Sequence, residues 1–195
     1  MNLINNNKIR CAWVNENPLY MDYHDFEWGV PIYDERLLFE FLILEGAQAG
    51  LSWLTILKKR DNYRISFDNF EPELIAQYKQ PKIDLLLAYS GIVRNKLKIQ
   101  ATITNAKAFL QVKQEWENFA KYIWHFVNGQ PIENHWKSAE QVPATSDISD
   151  KLSKDLKKRG FTFVGSTICY AFMQAVGMVN DHTMNCFCYK QLKKV

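Results

Sequence analysis

Apolar residues in this chain recur at helical spacing and show no sustained alternation of the kind a half-buried strand requires. That pattern predicts an all-α fold. Asp34 can cap a helix through Leu37, Leu38, Phe41, Leu42 and Leu44, with Gly46 and Gly50 interrupting it. Ser52 can cap the next helix, through Trp53, Ile56 and Leu57. Lys58, Lys59 and Arg60 would close that helix favourably against its dipole. A short apolar helix is expected over Asp84–Ser90, stopped by Gly91, and a longer one over Asn95–Val112. Ile148, Leu152 and Leu156 stand four apart on a helix that Gly160 ends. Ser166–Val176 is apolar nearly all round and should be central, with Gly177 ending it. The stretch Asn128–Asp147 carries Gly129, Pro131 and Pro143 and is expected to be mostly loop.

The chain has 195 residues, 47% hydrophobic and 23% charged, which is enough for a sizeable core without staples. A net charge of +3 permits nucleic-acid binding without arguing for it. Met1–Arg10 is Asn-rich and lacks the apolar segment of a signal peptide. The apolar stretch Phe161–Val179 is broken by Ser166, Thr167, Gln174 and two glycines, so it is expected to be a buried helix rather than a membrane span. With no export signal, the four cysteines fit a reducing, cytoplasmic setting.

Four features could carry chemistry. The first is a Cys and a His near each end of the chain: Cys11 with His24, and His182 with Cys186. The second pair is four apart, so a helix would put both side chains on one face. Two thiolates and two imidazoles suit tetrahedral zinc in a closed, structural site. The spacing alone equally fits two satisfied histidines and two buried thiols. The second feature is the turn Gly91-Ile92-Val93-Arg94 between two helices. Its backbone N–H groups and the dipole of the following helix can hold a phosphate, with Arg94, Lys96 and Lys98 beside it. It can as well be a plain helix connection with a solvated basic edge. Lys151, Lys154, Lys157, Lys158 and Arg159 form a third feature, which has the pattern of a solvated helix face.

The fourth is the aromatic set Trp13, Tyr20, Tyr23, Trp28 and Trp53 with Glu45. Glu45 ends the apolar run Phe39–Leu44, where a carboxylate is costly to bury without a partner. Beside aromatic walls it could read a planar cation. Alternatively it lies at the core edge and bonds backbone N–H groups near Gly46.

These residues fall into a family pattern. The chain resembles the type I 3-methyladenine DNA glycosylases, a branch of the helix-hairpin-helix repair glycosylases. The resemblance runs from Cys11-Ala12-Trp13 through Tyr23-His24-Asp25, Glu27-Trp28-Gly29-Val30-Pro31, Leu44-Glu45-Gly46 and Gln48-Ala49-Gly50-Leu51-Ser52-Trp53. It continues through Gly91-Ile92-Val93-Arg94, Lys157-Lys158-Arg159-Gly160-Phe161 and Phe163-Val164-Gly165. It ends on Thr167-Ile168-Cys169-Tyr170 and Asn180-Asp181-His182.

The resemblance implies a monofunctional glycosylase that flips 3-methyladenine out of double-stranded DNA and hydrolyses its N-glycosidic bond, acting as a monomer. It implies that Glu45 is the catalytic carboxylate, and that Tyr23 and Trp53 line the base pocket with Trp13, Trp28 and Tyr20 nearby. Gly91, Arg94 and Lys96 would contact DNA. Cys11, His24, His182 and Cys186 would hold one structural zinc, with Cys188 as the rival ligand and Cys169 in packing. The expected organisation is a single unit of residues 1–195, with a hairpin lobe over 34–127 and a zinc-stapled lobe formed by 1–33 with 128–195. No Asp occurs between Asp84 and Asp147, where most of the superfamily carries a catalytic one; the type I branch shares that absence. Two competing classes remain: a zinc-stapled module that binds nucleic acid without catalysis, and a thiol protein using Cys186 and Cys188.

Overall fold

The computed structural model describes residues 8–192, so most of the opening Asn-rich segment, Met1–Arg10, falls outside the described residues. The helices are α1 (Pro18–Phe26), α2 (Glu35–Gln48), α3 (Trp53–Leu57), α4 (Arg60–Ser66), α5 (Pro72–Ile75), α6 (Gln80–Ala88), α7 (Lys96–Trp116), α8 (Phe119–His125), α9 (Asp147–Lys158), α10 (Ser166–Ala175) and α11 (Phe187–Leu192). The all-α expectation needs one correction. Two short strands, β1 (Ile132–Glu133) and β2 (Val179–Asn180), pair in parallel with Ile132 opposite Val179. Two residues are too few to show alternation, so no periodicity could announce them. No helix among the described residues is long and apolar enough to cross a membrane.

α2 is the axis of the molecule. Leu38 to Ala47 are all buried, with α3, α7, α8 and α10 packed around them. Each large apolar side chain buried there contributes roughly 1.5–3 kcal/mol. Asp34 caps the helix as expected, its Oδ1 accepting from Leu37 N at 2.8 Å. Gly46, however, does not interrupt α2 but lies inside it. A Cβ there would stand 3.2 Å from Phe163 Cβ and 3.3 Å from its carbonyl oxygen, so the glycine admits a close approach. The helix ends at Gly50, whose φ of +78° suits glycine. The Lys98 ammonium donates to Ala47 O and Ala49 O at 2.8 and 2.6 Å, capping the same end.

Glu40 lies between Phe39 and Phe41 with no exposure at all. A carboxylate in that position requires a cation. Arg60 Nε donates to it at 2.6 Å and Arg64 at 2.7 Å, and Arg60 also reaches Glu27 at 2.6 Å. This overturns the expectation that Lys58, Lys59 and Arg60 close the helix after Ser52. That helix stops at Leu57, and Arg60 opens α4 and turns inward because Glu40 requires it.

Ser146 caps α9 in a reciprocal capping box with Ser149, and Leu152 and Leu156 are fully buried. Gly160 (φ +91°) and Gly177 (φ +74°) follow α9 and α10 as expected. At Gly177 a Cβ would meet Val30 C and Pro31 N at 2.5 Å. Gly29 N and Ile32 N donate to Gln174 O and Val176 O. The segment Gly29–Ile32 is thereby laid against the end of α10.

Candidate active site and metal centre

The end-on packing brings four side chains together. Ligand atoms of Cys11, His24, His182 and Cys186 lie within 4.8 Å of one another, and all four residues are buried. Cys186 Sγ is 3.4 Å from His24 Nε2 and 3.5 Å from His182 Nδ1, and Cys11 Sγ is 3.5 Å from the same Nδ1. The other nitrogen of each ring is already engaged. His24 Nδ1 lies 2.8 Å from Asp25 Oδ1, and Asp25 is held by Arg10 at 2.8 and 2.7 Å. His182 Nε2 lies 3.1 Å from Trp28 O. Carbonyl and carboxylate partners fix a proton on those nitrogens and leave His24 Nε2 and His182 Nδ1 as bare donors facing the thiols. Hydrogen bonds from the Cys11 and then the Cys188 thiol draw the Cys186 pKa down, so Cys186 is the readiest thiolate. The set fits a four-coordinate divalent metal with no open position.

Cys188 lies outside the quartet. Its sulfur is 4.0 Å from His24 Nδ1, the nitrogen already bonded to Asp25, and 3.8 Å from His24 O. Cys169 is buried, and its thiol donates to Val164 O at 3.4 Å.

Against this cluster lies a cavity of about 330 Å³. All six residues of the aromatic-acidic set line it: Trp13, Tyr20, Tyr23, Trp28, Glu45 and Trp53. Pro18, at the first position of α1, and the Asn17 cap start the helix that carries Tyr20 and Tyr23. The Ser52 cap, accepting from Thr55 N at 3.2 Å, starts the helix that opens on Trp53. Trp13 packs edge-on to Trp28 with centroids 5.0 Å apart, and Tyr23 lies 5.3 Å from Trp53 at 50°.

Trp53 Nε1 and the Glu45 carboxyl are among the polar groups of this cavity without a hydrogen-bond partner among the described residues. Trp53 Nε1 is buried and makes no hydrogen bond. Glu45 is 4% exposed, and burial alone pushes its carboxyl up to about 8. The alternative in which Glu45 bonds backbone N–H groups near Gly46 is therefore absent. Burial, and then the Glu45 charge, raises the Tyr23 and Tyr20 hydroxyls, which stay protonated donors. The cavity thus offers a carboxyl acceptor, an indole donor and aromatic faces at one place.

The remaining wall was not legible as a site in the sequence. Gln48, Ala139, Val142, Ala171, Gln174, Asp181 and Thr183 also line the cavity. Asp181 carried the same signal as Glu45, a carboxylate closing an apolar stretch. Ala139 and Val142 belong to a region with no periodicity.

The turn between α6 and α7 places its residues differently from one another. Arg94 and Lys96 are exposed, at the capped start of α7, where Asn95 Oδ1 accepts from Lys98 N at 3.1 Å. Gly91 is half-buried because the Tyr89 ring occupies the place of a Cβ, 2.3 Å from where one would stand. Lys98 does not join the two exposed cations. Its ammonium is committed to the end of α2. In the second basic cluster Lys151, Lys154, Lys157 and Lys158 are exposed, and Arg159 pairs with Asp155 and Glu115 at 2.6 Å.

Comparison with known proteins places this geometry. Residues 13–189 match the methyladenine glycosylase family. The chain is 52% identical over 180 residues to DNA-3-methyladenine glycosylase 1 of Escherichia coli (strain K12), covering 92% of this chain and 96% of that one. A crystal structure of a 3-methyladenine DNA glycosylase I superposes with a TM-score of 0.91 at 54% identity, over 92% of this chain and 99% of that one. A variant of a 3-methyladenine DNA glycosylase I, in complex with 3-methyladenine, superposes with a TM-score of 0.89 at 39% identity, over 91% and 96% of the two chains.

Proposed function

The chain belongs to the methyladenine glycosylase family, and from that premise we propose how its cavity does the family's work. The protein is a DNA glycosylase that hydrolyses the N-glycosidic bond of 3-methyladenine in alkylated DNA. The observation that carries the proposal is the unpartnered pair Glu45 and Trp53 Nε1 inside an aromatic cavity. Buried polar groups are normally satisfied, and an exception marks a place kept for a ligand.

The substrate is double-stranded DNA, from which the damaged nucleotide is flipped into the cavity. A base alkylated at N3 carries positive charge and leaves as a neutral purine, so no strong general acid is needed. Trp53 and Tyr23 would stack on it, each good contact being worth roughly 0.5–2 kcal/mol for a cation. Glu45 would accept from the N6 amine. In the empty cavity its carboxyl, pushed up to about 8, holds a proton at neutral pH. The arriving cation favours the ionised form, so binding expels that proton and creates the ion pair only when the right ligand is present. Water then attacks the sugar C1′. Among the described residues no lysine lines the cavity, which supports a monofunctional reaction without a Schiff-base lyase step.

Arg94 and Lys96, with the N–H groups of the turn begun by Gly91, would position the duplex through its phosphates. Cys11, His24, His182 and Cys186 would hold one structural zinc. When bound, the ion cross-links the two ends of the chain and supplies no chemistry to the base. The division into a hairpin lobe (34–127) and a stapled lobe (1–33 with 128–195) belongs to the same proposal, as do a cytoplasmic setting and a monomer.

Incubation of the purified protein with methylated duplex DNA, followed by chromatography of the released bases, tests the whole. The expected product is 3-methyladenine, with uracil and hypoxanthine left in place, because those neutral bases lack the positive charge that the aromatic faces and Glu45 would read. Efficient release of uracil would overturn the cation-reading mechanism. Duplex binding with no base released would favour the non-catalytic module instead.

A further inference from the structure

Of the described side chains lining the cavity, two are carboxyls, Glu45 and Asp181, and none is Lys, Arg or His. Cys11 also lines it, but its thiol belongs to the metal quartet, where two thiolates would balance a divalent ion. The two carboxyls are held in opposite ways. Glu45 has no hydrogen-bond partner. Asp181, 2% exposed, has four. Its Oδ1 accepts from Asn134 Nδ2 and Trp136 Nε1, both at 2.7 Å. Its Oδ2 accepts from Tyr170 OH at 2.8 Å and Gln174 Nε2 at 2.7 Å. Four donors fill the four lone-pair positions of a carboxylate. Every lone-pair position of the Asp181 carboxylate is thereby matched with a donor.

The donors come from two places, the loop after β1 and the face of α10. They surround the carboxylate so completely that none of its lone pairs is left for a base. Its charge nevertheless remains. Asp181 is thus the carboxylate that the fold itself bonds completely into the cavity wall.

We propose that Asp181 is a specificity-determining residue, a fixed negative charge in the cavity wall that favours a cationic purine over a neutral one without touching either. It acts at a distance through the poorly screened interior. Glu45 is the hydrogen-bonding reader, whereas Asp181 sets the field in which the base is read. The inference rests on the cavity being the base pocket proposed above.

The probes are a permanent cation, adenine methylated at both N3 and N9, and its neutral counterpart, 9-methyladenine. Binding of each is followed by tryptophan fluorescence at neutral pH. Asp181→Asn keeps the volume and removes the charge. It should weaken the cation about tenfold while changing the neutral purine less than about twofold. Equal weakening of both probes would mean that Asp181 only builds the wall, and no change in either would mean that its charge is not felt; each result overturns the proposal. Tyr170→Phe removes one donor and leaves the charge, so the preference for the cation should survive. Glu45→Gln with Asp181 intact decides the matter even if Asp181→Asn fails to fold. That variant should still prefer the cation, and equal affinity for the two probes would sink the inference. A wild-type protein that binds neither probe would instead remove the base-pocket proposal on which this one stands.

Discussion

The cysteine–histidine cluster and the aromatic cavity share a wall. The Trp28 ring faces the cavity, while its carbonyl holds His182. The Trp13 ring lies 5.3 Å from His24 and lines the same cavity. On one side of this wall every polar group is engaged: each imidazole has a second-nitrogen partner, and Asp25 is closed by Arg10. On the other side an indole N–H is buried with nothing to bond, and the Glu45 carboxyl has no partner among the described residues. Both regions are buried and aromatic, so burial does not tell them apart. What separates them is satisfaction. A region that completes its own hydrogen bonds is built to stay as it is, and one that leaves them open is built to be filled.

That contrast can be broken most forcefully from the metal side. Cys186→Ser should lose the bound metal and, with it, on the order of 3–5 kcal/mol of stability, a fall in Tm of roughly 10 °C for a chain of this length. Elemental analysis and calorimetry read both. Cys188→Ser should retain the metal, and full occupancy in the Cys186 variant would dismiss this ligand set.

The cavity side should show the opposite sign. Glu45 has a folded pKa of about 8, above its ordinary 4.5. Its protonated form is the one the fold tolerates. The contribution to stability is therefore fully present below pH 4.5 and is lost as pH rises through about 8. Glu45→Gln removes this loss. The variant should match the wild type near pH 4.5 and exceed it by about 4 kcal/mol near pH 8, measured by urea unfolding. It should also release 3-methyladenine more slowly, because the charge created on binding is gone. A variant less stable than wild type at pH 8 would show that Glu45 has a partner and that the cavity is not open in the sense argued here.

Trp53→Ala should sharpen the contrast further. Loss of stacking should weaken base recognition by roughly 1–3 kcal/mol, with metal content unchanged because Trp53 is not among the cluster's residues. Excision kinetics and metal analysis on one sample separate the two. Arg94→Ala should have the smallest effect and touch neither region. It should weaken all duplexes alike and reduce the slope of log affinity against log salt by about 1. An unchanged slope would take the α6–α7 turn out of the DNA interface.

Helices whose ends are marked locally could be read in advance. Asp34, Ser52 and Asn95 each cap the helix that follows, and Gly160 and Gly177 each end one. The short helices α1, α4, α5, α8 and α11 escaped, being too brief to establish a period, although Asn17-Pro18 is itself a start signal. Gly46 was misread because a glycine within an apolar run looks like a stop. Only the Phe163 backbone, far away in sequence, gives its real reason. Glu40 passed unnoticed beside Glu45, although both stand in the same apolar run. Position alone could not tell that one would meet three arginines and the other none.

By itself the sequence determined the helical character, the caps and the composition of both clusters: two Cys and two His near the ends, aromatics around a misplaced carboxylate. Those are local properties, set by spacing along one chain. The tertiary structure decided which polar groups are satisfied. Arg60 turned inward to Glu40, Lys98 was drawn from the basic edge to the end of α2, and Asp181 gathered four donors from two distant segments. Hydrogen-bond satisfaction is a relation between groups far apart in the chain, and the cost of leaving one unmet arises only once water has been excluded. For that reason the unpartnered Glu45 and Trp53 Nε1 became visible only when the chain was folded around them.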